Sequence, residues 1–263
     1  MKSVSVSALA LAGLCAATAV QAADVDVGVD FKSAYVATGA TCNDGWTAMP
    51  WLSASGFKVG DTEIPLVFDF WGAMDLERYT PNRPYSRVGR FQEIDLDVML
   101  DLAKVAPLDD DFSYSIGYLE YDYPEQPAET DNLILFTAGY DCPLAPSFTT
   151  KYRIGGPSAG KFECALAVSH GITLDEDNGI GLDFSADVWY VNVEDADNKW
   201  DAESGERAAR SGFACMDFTA SLSIQKAYVG VTYVARLDDD VLPDGPYGYD
   251  AKWIASCGIS YGF

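Results

Sequence analysis

Eleven segments of this chain alternate apolar and polar residues, and the apolar phase of each one contains no Asp, Glu, Lys or Arg. Alternation with a period of two marks a strand whose faces meet different surroundings. In the first segment Val25, Val27, Val29, Phe31 and Tyr35 oppose Asp24, Asp26, Asp30 and Lys32. Next, Leu66, Phe68, Phe70 and Met74 oppose Asp69 and Asp75. Ile94, Leu96, Val98, Leu100 and Leu102 then oppose Glu93, Asp95, Asp97 and Asp101. The others fall at 112–118, 134–140, 148–154, 162–174, 180–190, 214–224, 229–237 and 253–263. With 22% of all residues charged, random placement would put about a dozen charges on the chosen faces. A twelfth segment, 46–57, has no clean phase, and its Pro50 predicts a bulge or a rim position.

A face without charge suits lipid, where a mid-membrane Lys or Arg costs about 2–4 kcal/mol. The same pattern also suits the buried face of a soluble periplasmic β-sandwich binding protein. Three features favour lipid. Most segments reach or exceed the 9–11 residues, roughly, that a tilted strand needs to cross the apolar layer. Aromatic residues gather near segment ends, at Tyr35, Trp46, Tyr118, Tyr123, Tyr190, Tyr228, Trp253, Tyr261 and Phe263, as an interfacial girdle requires. Short links (58–63, 104–111, 142–146, 175–179, 225–227) alternate with links that include the longest (78–91, 194–211, 238–250), the arrangement of short periplasmic turns and long outer loops. The expected fold is all-β: a single closed antiparallel transmembrane β-barrel of about twelve strands, up-and-down, over residues 23–263. In lipid an open sheet would leave edge N–H and C=O groups without partners.

The ends agree with export. Met1 and Lys2 precede an apolar run at 4–19, and Val20-Gln21-Ala22 offers a cut after Ala22, so residues 1–22 read as a cleaved signal peptide. Ser3, Ser5 and Ser7 shorten the run below a membrane helix, and Leu14 before Cys15 departs from a lipid-attachment site. At the other end Ile259, Tyr261 and Phe263 alternate up to the last residue. Bacterial outer-membrane barrels end this way, and the series resembles their assembly signal. That resemblance implies the outer membrane of a Gram-negative-type bacterium reached through the periplasm, with the barrel-assembly machinery, outer-membrane lipid and lipopolysaccharide as partners.

A wider resemblance rests on Asp30-Phe31-Lys32-Ser33-Ala34-Tyr35-Val36-Ala37-Thr38-Gly39, on Leu144-Ala145-Pro146-Ser147 leading into 148–152, and on Ile259-Ser260-Tyr261-Gly262-Phe263. These resemble the small outer-membrane β-barrels of the TorF-type porin family. This chain has Ala34 to Thr38 where that family has an Arg-containing first hairpin. The resemblance implies a closed barrel with a channel role.

Charge excludes one class of partner. A formal charge of -23 repels nucleic acid. With the leader gone, Cys42, Cys142, Cys164, Cys215 and Cys257 remain, odd in number and without CxxC spacing, so neither a disulfide framework nor a zinc site is expected. No metal and no cofactor is expected.

Function then depends on the inward face. Its acids include Asp30, Asp69, Glu93, Asp95, Asp97, Asp101, Glu163, Asp183, Asp187 and Asp217, with Asp26, Asp75 and Asp141 on the same phase; its bases are Lys32, Lys151, Arg153, Lys161, Arg236 and Lys252. The remaining inward positions are largely small or hydroxylic, among them Gly117, Thr137, Ser185, Thr219, Ser221 and Gly230. Carboxylate rings raise the local cation concentration, which predicts a narrow, water-filled, porin-like channel for passive diffusion of small polar solutes, with a preference for cations. The competing reading is a closed structural or surface-interaction barrel whose acids and bases pair and seal the lumen. An enzyme is not expected: the one His, His170, lies on the apolar phase between Val168 and Ile172. One predicted outer loop collects Arg78, Arg83, Arg87 and Arg90, suited to phosphate contact or to folding inward. Glu194, Asp195, Asp197, Asp201, Glu203 and Glu206 form an acidic loop without the ligand order of a calcium site, and Asp238-Asp239-Asp240 has the same status.

Overall fold

The computed structural model describes residues 20–21, 24–59, 61–77, 88–124, 130–193, 210–242 and 251–263. Its core is one closed antiparallel barrel of twelve strands. They are β1 (Asp24–Lys32), β2 (Thr47–Ser55), β3 (Leu66–Asp75), β4 (Phe91–Asp101), β5 (Phe112–Asp122), β6 (Asp131–Tyr140), β7 (Ser147–Gly155), β8 (Phe162–Asp175), β9 (Ile180–Asn192), β10 (Gly212–Ile224), β11 (Ala227–Arg236) and β12 (Trp253–Gly262). Each pairs with its neighbours in chain order, and β12 closes onto β1 from Ser256 opposite Lys32 to Gly262 opposite Asp26. Closure removes every barrel edge, as the strand pattern requires.

The faces are inverted relative to a soluble core. Leu166, Val168, Ile172, Phe184, Phe218, Val229, Val231 and Ile259 are exposed on the outside of the sheet, while Asp131, Arg153 and Glu163 are buried within it. A soluble sandwich would bury the first set and expose the second.

Several details depart from the sequence reading. Pro50 lies in mid-strand, opposite Val29, and β2 keeps one register on β3 on either side of it; the ladder merely lacks pairs there. The phase of β2 is unclean because Met49 and Trp51 point inward. A Cβ on Gly28 would meet the Trp51 ring at 2.5 Å, so only glycine leaves room for the indole there. Strand β5 runs past 118 to Asp122 and carries Glu120 onto the apolar phase, opposite Asn132 of β6. Leu102 does not continue β4. It opens a one-turn helix, α1 (Leu102–Val105), whose first N–H groups at Ala103 and Lys104 are accepted by the Asp101 carboxylate.

Three expected girdle aromatics face inward instead: Tyr35 bonds Glu93, Tyr228 bonds Asp30, and Tyr123 packs against the Met99, Leu119 and Leu133 cluster. Tyr233 with Trp253 and Tyr261 with Phe263 do form ring pairs at strand ends, with centroids 4.7 and 4.8 Å apart. Val20–Gln21 pairs with Lys58–Val59, and the predicted cut after Ala22 lies outside the described residues.

Candidate channel lumen

The link from β1 to β2, at 33–46, folds into the barrel. Tyr35–Ala37 and Ala40–Asn43 pair as a small antiparallel hairpin. Its turn is Thr38-Gly39, with φ of 49° and 81°, the two positive values that a tight two-residue hairpin turn demands. The hairpin is a strap across the lumen. On one side Tyr35 packs with Met49, Ala73 and Trp71 of β2 and β3, and its hydroxyl donates to Glu93 Oε2 of β4 at 2.8 Å. On the other side Ala34 and Val36 pack with Cys215, Val234 and Ile254 of β10–β12. At the tip, Thr38 Oγ1 donates to Glu163 Oε1 of β8 at 3.3 Å, on the wall opposite the root.

The root is tied more firmly. Ser33 N–H donates to Ala255 O, and Ala255 N–H donates to Ser33 Oγ, both at 2.9 Å. Asn43 donates to Asp75 Oδ1 at 2.7 Å and to Thr47 Oγ1 at 3.0 Å, while its own Oδ1 accepts from Gly45 N–H at 3.0 Å. The Asp75 carboxylate also accepts from Gln92 Nε2 at 2.8 Å, so this expected lumen acid is buried in a structural knot.

Beneath and beside the strap tip lies an ionic cluster. Arg153 pairs with Asp131, and with Glu163 at 3.4 Å; Lys161 Nζ is 2.9 Å from Glu163 Oε1. Lys151 donates to the Tyr121 hydroxyl at 2.8 Å and sits 5.6 Å from the centroids of the Tyr121 and Trp189 rings. Three of the six predicted lumen bases are therefore bound into one side-chain cluster. The adjoining wall is apolar, with Met99, Leu119, Leu133 and Leu135 buried and facing inward.

Nearer the short-link end the lining changes. Asp69 of β3 stands directly opposite Asp97 of β4, and Asp187 of β9 directly opposite Asp217 of β10. These two carboxylate pairs occupy opposite walls, six strands apart around the barrel. Like charges in register destabilise a strand pair, and the Oδ1 atoms of Asp95, Asp97, Asp187 and Asp217 are buried without a protein hydrogen bond. Lys151 lies within electrostatic reach of Asp95 and Asp97, and Lys32 within reach of Asp217. Asp30 accepts from the Tyr228 hydroxyl at 2.8 Å, and exposed Asp183 accepts from Ser223 Oγ at 3.4 Å.

Other predicted residues lie apart from this belt. Asp101 caps α1 at the short-link end of β4. Arg236 is half-buried at the end of β11, and Lys252 is exposed before β12 begins. Arg78, Arg83 and Arg87, and the acidic loop from Glu194 to Glu206, lie outside the described residues; Arg90 is exposed. Ile259, Tyr261 and Phe263 are exposed on the outer wall, and Phe263 N–H donates to Val25 O at 2.9 Å. His170 faces outward, its Nδ1 2.6 Å from Pro143 O.

Outside the barrel wall, a bond from Lys104 holds the Glu63 carboxylate below its usual range, at 2.5 Å, and raises Lys104 in turn. At the long-link end Arg210 does the same to Asp238 at 2.7 Å and also contacts Asp240 at 3.0 Å.

Sequence reasoning missed the strap. The available signal was the run from Ser33 to Cys42, small and uncharged where most other long links are charged.

No protein-family model matches the chain, and no curated protein sequence matches it. Among solved structures it is similar to the NanC porin, with 12% identity over 91% of this chain and 98% of that one and a TM-score of 0.46. It is similar to an outer-membrane channel from Pseudomonas putida F1, with 9% identity over 92% and 95% and a TM-score of 0.46. Salmonella typhi OmpF, in complex with daunomycin, gives 8% identity over 93% and 97% and a TM-score of 0.40. The fold stands on the chain's own strand register and not on these likenesses.

Proposed function

We propose that this chain is a porin-like outer-membrane channel for small polar solutes, with a preference for cations. In this reading residues 1–22 leave as a signal peptide, the barrel-assembly machinery reads Ile259, Tyr261 and Phe263, and lipid and lipopolysaccharide surround the wall. One observation carries it: the sheet closes with Leu166, Phe184, Phe218 and Ile259 exposed on its outer face and with carboxylate oxygens of Asp97, Asp187 and Asp217 enclosed. Water has no part in solvating the first set in a membrane, and it has every part in solvating the second. The paired Asp69–Asp97 and Asp187–Asp217 supply negative potential on both walls, which draws cations into a low-dielectric passage.

The test is conductance in a planar bilayer under a potassium chloride gradient, using protein whose folding is verified by heat-modifiable gel mobility. Discrete steps with a cation-selective reversal potential are expected. Folded protein that gives no steps would sink the channel reading.

A second reading, a closed structural or surface-interaction barrel, is favoured by the strap and by the Arg153–Glu163–Lys161 cluster, which are joined to each other through Glu163 at that level.

A further inference from the structure

We propose that the hairpin from Tyr35 to Asn43 is a gate: it pivots on a fixed root and lifts its tip from the opposite wall. The inference rests on the channel reading, since a gate needs a path to close.

Root and tip are held unequally. Ser33 is tied to Ala255 by two bonds, and Asn43 is buried with bonds to Asp75 and Thr47 and from Gly45. Among the described residues the tip turn, Thr38-Gly39, has one side-chain hydrogen bond to the wall, from Thr38 to Glu163 at 3.3 Å, near the long limit for such a bond, and Thr41 behind it accepts from Ala251 N–H at 3.1 Å. Thr38 itself sits at φ 49°, a region costly for a side chain branched at Cβ. Between root and tip the strap packs mainly through small residues, Ala34 and Ala37 against the two walls and Ala40 against the Val191, Val241 and Leu242 cluster, so each of these contacts holds it by one methyl group. Tyr35 and Val36 are the exceptions. Tyr35 holds the strap to Glu93 near the root, as an intermediate latch.

The strap's contacts at Glu93 and Glu163 lie toward the long-link end of their strands, with the Asp69–Asp97 and Asp187–Asp217 pairs on the short-link side. In the closed position the strap separates the acidic belt from the outer mouth. Lifting it joins the two.

The wall carries a native reporter. Cys215 faces inward with no exposed surface, and a Cβ placed on Gly39 would lie 2.7 Å from its Cβ and 3.1 Å from its Sγ. Closed, the strap covers this thiol; lifted, it leaves the thiol open to water.

The experiment treats the folded full-length barrel with a water-soluble maleimide, locates the labelled cysteine by peptide mass mapping, and records conductance of the same preparations. Three proteins are compared: the native chain, the double variant Tyr35→Phe/Thr38→Val, and a chain with residues 35–42 replaced by a short Gly-Ser link. Heat-modifiable mobility verifies that each is folded. Labelling of Cys215 is expected to be slow in the native chain, several-fold faster in the double variant and fastest without the strap, with conductance rising in the same order. Equal labelling and equal, non-zero conductance in native chain and double variant would overturn the gate and leave the channel intact. Absence of conductance from all three folded proteins would overturn the channel reading and the gate with it.

Discussion

Tyr228 reaches across the strand beside it to donate a hydrogen bond to Asp30, and it can do so because the residue it crosses is Gly258. A Cβ on Gly258 would stand 2.2 Å from Asp30 Oδ1 and 2.4 Å from Tyr228 Cε1. Gly258→Ala is therefore expected to push the phenol off the wall and to destabilise the barrel by about 1–3 kcal/mol, the usual cost of overpacking. Tyr228→Phe, which loses the bond to Asp30 but keeps the ring, should cost about 1.5–3 kcal/mol, since the acceptor is a carboxylate. Urea unfolding in lipid vesicles, followed by tryptophan fluorescence, measures both. Equal stability of Gly258→Ala and the native protein would show that the ring does not occupy this position.

Glu163 is the hub of the ionic cluster, contacting Arg153, Lys161 and Thr38 while 4% of its side chain is exposed. Removing one partner of a buried pair leaves the other charge stranded, at a cost of about 3–5 kcal/mol. Glu163→Ala should show a loss of that order, whereas replacing Glu63, whose bond to Lys104 is exposed at the turn, should leave stability nearly unchanged. The same vesicle unfolding assay separates the two. A small loss at Glu163 would mean that water reaches Arg153 and Lys161 freely.

The carboxylate pairs invite the opposite sign. Asp97→Asn or Asp187→Asn removes one charge from a pair of like charges standing in register. Each should stabilise the barrel by about 0.2–1 kcal/mol. Together they should move the reversal potential in a salt gradient toward that of a non-selective pore. Stability rising while selectivity falls is what distinguishes residues kept for conduction from residues kept for packing.

The strand layout was legible because both faces of β1, β4, β8 and β9 obey one rule, and that rule reports directly on what each face touches. The lumen was less legible, for a physical reason. Inward positions alternate just as well whether their partner is water or another side chain, so periodicity gave no sign that Lys151, Arg153 and Lys161 share one side-chain cluster. Tyr35 and Tyr228 carried the composition of a girdle, but their direction depends on where β1 stops and on a glycine one strand away. The strap was invisible to periodicity because its contacts with β3, β4, β8 and β10 are made across the barrel, between residues far apart in sequence.

Phe218 tests the assignment of the outer face. It stands near the middle of β10, points outward and is 45% exposed. If hydrocarbon surrounds it, Phe218→Arg should cost about 2–4 kcal/mol in a bilayer at mid-depth, falling toward zero when the same charge is placed near a rim, for example at Trp253. If the protein were a soluble sandwich, an exposed Phe replaced by Arg would change stability by less than about 0.5 kcal/mol at either position. The measurement is the free energy of folding into vesicles for both variants. Depth dependence is the informative result, because no soluble surface distinguishes the middle of a strand from its end in this way. A pair of equal, negligible effects would remove the membrane from the account, and the carboxylates would then line a closed interior in a protein that never meets lipid.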